Sequence, residues 1–419
     1  MRSSHLRLGL VVASSVALAA CTALLGTFEV DPNAQTDGGA SSSSGTSGTS
    51  GTSGTSGTSG SSGPGVDGSV DDSGDASIAC DGGLTGCGSV CVDTTVSQEH
   101  CGACGHACGG GACNGGVCQP VVVYDAAGGN KVGGVASDGK DVFFSVGTKL
   151  LACPATGCKA AAPRQLVDTT HYVATVAYLN GTVAFESAPA QATIRPALYA
   201  CAPAGCAGLP ASFASAGLTG YEPLFFTNGN TLTFNGQGQG VYPATCGAGA
   251  CVTVTPSTPR AASLFAASAT HRYFIATGGA LDLTRCAASG TCTPEIVRAG
   301  DSTGFTAIAV EANALFFAQP GRPGFNEGRI LRCNLATLPC PANMPSIAVA
   351  QPFPRYLLAN ATGTFWVNEE DKKLQACAPG LCVGGPRTIT TGTSVPSHLA
   401  SDGAFLYWAD GSKVWRVRP

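Results

Sequence analysis

Charged side chains are scarce in this chain. Only 11% of its 419 residues are Asp, Glu, Lys or Arg, and the net charge is −4. So thin and slightly negative a charge offers no basic field to nucleic acid or to an anionic membrane surface. Catalytic signatures are missing too. There is no His-Glu-x-x-His zinc helix and no Gly-x-Ser-x-Gly nucleophile elbow. The one echo of a phosphate loop, Gly134-x4-Gly139-Lys140, has Asp141 where a Ser or Thr is required, and it falls in a turn. Ser401-Asp402-Gly403 stands at the wrong spacing from Trp408 for a sialidase-type Asp box, and His171, His271 and His398 are dispersed. Helical periodicity is absent, and the apolar run at residues 8–20 is too short to span a bilayer. The sequence therefore implies no cofactor, no metal site and no nucleic-acid partner, and it points away from an enzyme.

Cysteine, by contrast, is abundant, with 21 residues. Cys21 stands alone. Eight lie close together: Cys80, Cys87, Cys91, Cys101, Cys104, Cys108, Cys113 and Cys118. The rest form pairs: Cys153 with Cys158, Cys201 with Cys206, Cys246 with Cys251, Cys286 with Cys292, Cys333 with Cys340 and Cys377 with Cys382. Even sets left after removal of one special cysteine indicate disulfides in an oxidising compartment. A hairpin disulfide closes so short a loop that it contributes about 2 kcal/mol. Six of them are comparable with a domain's net stability of about 5–15 kcal/mol.

The pairs mark a repeat. Successive first cysteines are 48, 45, 40, 47 and 44 residues apart. Each unit opens on a turn such as Ser137-Asp138-Gly139, Asn180-Gly181 or Ser401-Asp402-Gly403, where Asp/Asn-Gly supplies the positive φ of a tight hairpin. An aromatic strand follows, as in Val142-Phe143-Phe144, Leu315-Phe316-Phe317 and Leu406-Tyr407-Trp408, and then a strand ending at cysteine. Short strands at this period indicate radial β-repeats. Seven aromatic strands meet only six cysteine hairpins. The last unit stops at Lys413-Val414-Trp415-Arg416-Val417, while Pro120-Val121-Val122-Val123-Tyr124 precedes the first unit without a partner. Joining the two closes a ring and leaves no open sheet edge. The expectation is an all-β, seven-bladed β-propeller over residues 119–419, with six blades as the rival count. Leu406-Tyr407-Trp408-Ala409-Asp410 resembles the Tyr-Trp-Thr-Asp repeat of receptor-type propellers. That resemblance implies a binding scaffold, usually of six blades.

The N-terminal segment reads as an export signal. Arg2 and Arg7 precede the apolar run, which ends Leu18-Ala19-Ala20-Cys21. This stretch resembles the bacterial lipobox. The resemblance implies cleavage after residue 20, acylation of Cys21 and a lipid anchor to the cell envelope; Thr22 after the cysteine points to the outer membrane. More than one acyl chain is needed for stable anchoring. Residues 21–79 form a tether of Gly, Ser, Thr and Asp that cannot bury apolar area and is expected to be disordered, with a reach of roughly 40 Å.

Residues 80–118 are a small cysteine-rich module. His100-Cys101-Gly102-Ala103-Cys104-Gly105-His106-Ala107-Cys108 resembles the module of stigma-specific plant proteins, which implies a disulfide-stapled extracellular knob. Eight cysteines allow about a hundred connectivities. Two sharper alternatives are a zinc site at Cys101, Cys104, His106 and Cys108, and a redox pair of Cys101 and Cys104.

In a four-stranded blade the Asp-Gly turns and cysteine hairpins share one face. The connections between second and third strands, and between blades, share the other. Insertions fall on that second face, at 186–196, 319–328 and 368–372. They carry Arg195, Arg322, Phe325, Glu327, Glu369, Glu370 and Asp371, with Tyr221 and Phe353 between blades. Loops on a rigid scaffold are where binding residues concentrate. The expected function is a surface or periplasm-facing lipoprotein whose propeller binds a protein or glycan. The alternatives are a propeller lyase or glycan hydrolase and a structural envelope component. Thiol labelling of the unreduced protein should find essentially no reactive cysteine from Cys80 to Cys382; twelve labelled thiols would overturn the hairpin pairing.

Overall fold

The computed structural model describes residues 80–419 apart from 127, 159–161, 189–195, 216–225, 237–239, 254–261, 277–281, 289–291, 300–303, 323, 381 and 383. Cys21 and the tether lie outside the described residues. Every element in the described residues is a strand. Seven four-stranded antiparallel sheets form the blades of a propeller, so the six-bladed count implied by the Tyr-Trp-Thr-Asp resemblance does not hold. Blade 1 is Val132–Ser137, Asp141–Val146, Lys149–Pro154 and Arg164–Asp168, in that order. Blade 7 is Ser397–Ser401, Leu406–Asp410 and Lys413–Val417, completed by Val121–Asp125. In that last pairing Lys413 faces Asp125, Val414 faces Tyr124 and Arg416 faces Val121.

The second strand of each blade carries buried apolar residues on both sides because both sides of the sheet face a neighbouring blade. Phe143, Phe144, Phe185 and Phe317 are wholly buried, as are Leu406 and Tyr407. The hairpins before these strands use their side chains as local caps. Asp138 accepts from the amides of Lys140 (2.9 Å) and Asp141 (2.6 Å), and Asp402 does the same for Ala404 (2.9 Å) and Phe405 (2.7 Å). Between them Gly139 takes the φ of 83° that the turn demands.

All six hairpin pairs are disulfides, with Cα–Cα distances of 4.1–5.7 Å. Cys153 is bonded to Cys158, Cys201 to Cys206 and Cys246 to Cys251. Cys286 is bonded to Cys292, Cys333 to Cys340 and Cys377 to Cys382. Each hairpin lies between the third and fourth strands of its blade, but the second cysteine is not placed alike in all of them. Cys251 is itself a residue of the fourth strand, Ala250–Thr253, directly opposite Cys246 in the ladder. Cys292 instead stands ahead of its fourth strand, Glu295–Arg298, as Cys158, Cys206 and Cys382 stand ahead of theirs. In blades 1, 2 and 5 the tip of the hairpin reaches back to the preceding blade. The amide of Cys158 donates to Val123 of blade 7 (2.9 Å), Cys206 to Leu166 of blade 1 (3.1 Å) and Cys340 to Val297 of blade 4 (2.7 Å). Val123, Leu166 and Val297 all belong to the outermost strand of their blades. The disulfide thus stiffens a tooth that seats in the neighbouring sheet.

The seam between blades 7 and 1 carries a side-chain link as well. Tyr407, wholly buried, donates its hydroxyl to Asp402 at 2.7 Å, and Ser137 of blade 1 donates to the same carboxylate at 3.5 Å. Burial, reinforced by Asp402, pushes the Tyr407 phenol far above its ordinary value. A folded-state value above the unfolded one leaves stability intact while both states stay protonated. Stability is lost once the unfolded phenol ionises, near pH 10. Chemical denaturation as a function of pH should show stability falling above about pH 10 in the native protein and less steeply in Tyr407→Phe.

Candidate functional site

The strand directions divide the propeller into two faces. The turn face bears the Asp-Gly hairpins and the disulfide teeth. The loop face bears the connections between second and third strands and between blades. On the loop face the connections of blades 5 and 6 converge. Arg322 and Glu327 form a two-bond ion pair at 3.1 Å, and the guanidinium also lies 5.4 Å from the centre of the Phe325 ring. The Phe325 side chain is exposed. The amide of Gly324 donates to Glu370 at 2.9 Å, which ties this connection to that of the next blade. There Arg355 pairs with Glu369 at 3.0 Å and sits 5.1 Å from the Phe353 ring, while Lys373 pairs with Asp371 at 3.0 Å. The amide of Glu369 donates to the carbonyl of Phe353 at 3.1 Å. The hydrogen bond from Arg322 holds the Glu327 carboxyl below the usual carboxylate range.

Backbone conformation marks the same region. Ala350, Phe353 and Tyr356 hold φ of 55°, 53° and 49°, and His398 of blade 7 holds 53°. A non-glycine residue in this conformation costs about 1–3 kcal/mol and persists only where its surroundings fix it. Tyr356 and His398 sit at equivalent bulges of the inner strands Pro354–Asn360 and Ser397–Ser401, their rings 6.4 Å apart. Beneath Phe353, buried Gln351 accepts from Trp366 Nε1 at 2.9 Å and from Asn368 Nδ2 at 3.0 Å, and donates to the Val349 carbonyl at 2.6 Å. This buried network holds the connection between blades 5 and 6 in place.

Of the nine residues singled out on this face, the structure brings together Arg322, Phe325, Glu327, Phe353, Glu369, Glu370 and Asp371. Arg195 and Tyr221 lie outside the described residues. Sequence reasoning missed Arg355 and Gln351. Arg355 reads as one more strand residue, and its only signal is its place beside Phe353, which lies between Pro352 and Pro354. The three dispersed histidines stay apart. His171 lies between blades 1 and 2, His271 opens the strand His271–Ala276 of blade 4, and His398 is on blade 7. His271 contacts Thr270 Oγ1 at 2.9 Å, and burial first, then Arg285, lowers its pKa. Standing on different blades, the three share no site.

In the cysteine-rich module the disulfides are Cys80–Cys91, Cys87–Cys104, Cys101–Cys113 and Cys108–Cys118. Cys101, Cys108 and Cys118 lie close enough to ligate one ion, but each sulfur is already in a disulfide. Cys101 and Cys104 are not bonded to each other, which excludes the redox-pair alternative in this state. His106 faces the carbonyls of Cys101 at 2.7 Å and Pro419 at 3.2 Å, so its ring serves to join module and propeller.

No protein-family model matches the chain, and no curated protein sequence does. Solved propellers do. YCF48, in a structure with D1 peptide bound, superposes with a TM-score of 0.50 at 10% identity, over 72% of this chain and 96% of its own. PorZ of Porphyromonas gingivalis, a surface component of the type-IX secretion system, gives a TM-score of 0.48 at 11% identity, covering 70% of this chain and 37% of that one. BamB of Moraxella catarrhalis gives 0.43 at 14%, covering 72% and 88%. At such identities the likeness is one of fold alone.

Replacing Gln351 by Leu would strand the Trp366 indole N–H and an Asn368 amide without their acceptor. Each orphaned buried donor costs about 1–3 kcal/mol. Thermal unfolding should show a markedly lowered Tm for Gln351→Leu, against little change for Phe325→Ala at the exposed surface.

Proposed function

We propose that the chain is an exported lipoprotein, acylated at Cys21 after removal of residues 1–20. Its propeller is a binding module that meets a protein or glycan on the loop face of blades 5 and 6. The observation that carries the reading is the opposition of two ends. The module leads through Cys118 into Val121, which pairs with Arg416 at the turn face. The aromatic and guanidinium groups of Phe325, Arg322, Phe353 and Arg355 gather on the opposite face from the module. Ten disulfides among the described residues fit an oxidising, extracytoplasmic setting. YCF48, which shares the fold, binds a peptide, and a peptide segment is one form the protein ligand could take.

Both halves of the reading can be tested in the producing cells. Cys21→Ser should move the protein from the membrane fraction to the soluble one; retention would remove the lipid anchor from the account. A photo-crosslinking residue at position 325 or 353 should capture a discrete partner, and Arg322→Ala with Arg355→Ala should abolish the adduct. Crosslinks that form only from the turn face would assign binding to the opposite side. No adduct from either face would favour a structural envelope component, a reading that the in-face pairing of Arg322, Arg355, Asp371 and Glu369 also fits.

A further inference from the structure

Six of the seven blades carry a disulfide tooth, and blade 7 has none. Its third strand is Lys413–Val417, and its fourth, Val121–Asp125, enters from the N-terminal side. The register shows what is missing. In blades 1, 2, 5 and 6 the first cysteine of the hairpin faces a residue at the start of the buried stretch of the second strand: Cys153 faces Val142, Cys201 faces Val183, Cys333 faces Leu315 and Cys377 faces Thr364. In blade 7 that position faces Leu406 and is held by Val417. The second hairpin cysteine precedes the fourth strand or, as with Cys251, falls within its first two residues, and in blade 7 the cysteine just ahead of the fourth strand is Cys118, bonded to Cys108.

The apolar clusters tell the same story. Hairpin cysteines pack with an outer-strand residue of the preceding blade: Cys153 with Val123, Cys201 with Leu166, Cys333 and Cys340 with Val297, Cys377 with Ile347. At the seam between blades 6 and 7 the corresponding outer-strand residue is Ile389, and it shares a cluster with Val417, Cys101, Cys108 and Cys118. Polar contacts hold the module in this place. Arg416 donates to the Gly109 carbonyl and lies 4.8 Å from the centre of the Phe405 ring. Arg418 donates to the Ala107 carbonyl at 3.1 Å, and His106 meets the carbonyl of Pro419. The Phe405 ring lies so close over Gly109 that a Cβ there would stand 2.4 Å from it.

We infer that the cysteine-rich module is the seventh tooth. The Cys108–Cys118 disulfide fills the slot that a hairpin disulfide fills in the other blades, and the module seals the ring at the seam between blades 6 and 7. It is therefore a structural part of the propeller, joined to the C-terminal strand that it must hold against Val121–Asp125. This inference concerns the turn face and stands apart from the binding reading on the loop face.

Hydrogen exchange read by mass spectrometry on the full chain tests it. In Cys108→Ser/Cys118→Ser, amides of Arg387–Thr391, Lys413–Val417 and Val121–Asp125 should exchange about tenfold faster or more. Those of Ala314–Gln319 in blade 5 should not change. Gly109→Val, which keeps every cysteine, should give the same pattern by wedging the module off Phe405. Should that variant fail to fold, Arg418→Ala serves in its place, with a smaller acceleration at the same strands. Exchange that quickens only within residues 80–118, or equally in all blades, would overturn the inference.

Discussion

The pairing of Val121–Asp125 with Lys413–Val417 is the constraint on which the rest of the molecule depends. A propeller blade cannot bury both of its sides alone; each sheet needs a neighbour on either side, and only a closed circle supplies one to all seven. Here closure joins strands from opposite ends of the domain, so the chain must bring together residues nearly 300 positions apart to complete its core. Loop-closure entropy for such a contact grows slowly with length, but it must be met before the last seam can form. The link of Tyr407, Asp402 and Ser137 and the seated hairpins stabilise the circle once it has formed.

The same closure sorts the surface into two unlike sides. One holds short turns capped by their own aspartates and rigid disulfide hairpins, packed onto neighbouring strands. The other holds the longer connections, two of which lean together through Glu370 and Gly324. Apolar rings and charges there are paired within the face, so a partner would have to exchange those pairs for its own. That limits affinity from charge and leaves shape and the exposed ring of Phe325 as the main sources of discrimination.

Much of this was legible before any coordinates. The blade count followed from a period marked by cysteines and aromatic runs, and the ring closure from two half-units that lacked partners. Spacing alone paired Cys246 with Cys251 and Cys286 with Cys292, although it could not tell that the first pair sits in the ladder and the second partly outside it. Arg322, Phe325 and Glu327 could be found because their connection is longer than its neighbours. Other features left no local trace. Gln351 looks like an ordinary strand residue until Trp366 and Asn368 are brought to it by the fold. Arg355 is hidden inside a strand pattern. Ile389 is one β-branched residue among many, so nothing in Arg387–Thr391 announces that the module rests there. The resemblance of the module to a free-standing knob concealed its place in the ring for the same reason.

The order of the four module disulfides has a mechanical meaning. The loops 80–91, 87–104, 101–113 and 108–118 overlap one after another, so the covalent path through them has little slack. Tension arriving from the N-terminal side cannot unravel the module; it passes to Val121 and runs along the axis of that strand. Load applied in that direction is shared by all the hydrogen bonds to Lys413–Val417 together, where a sideways pull would open them singly.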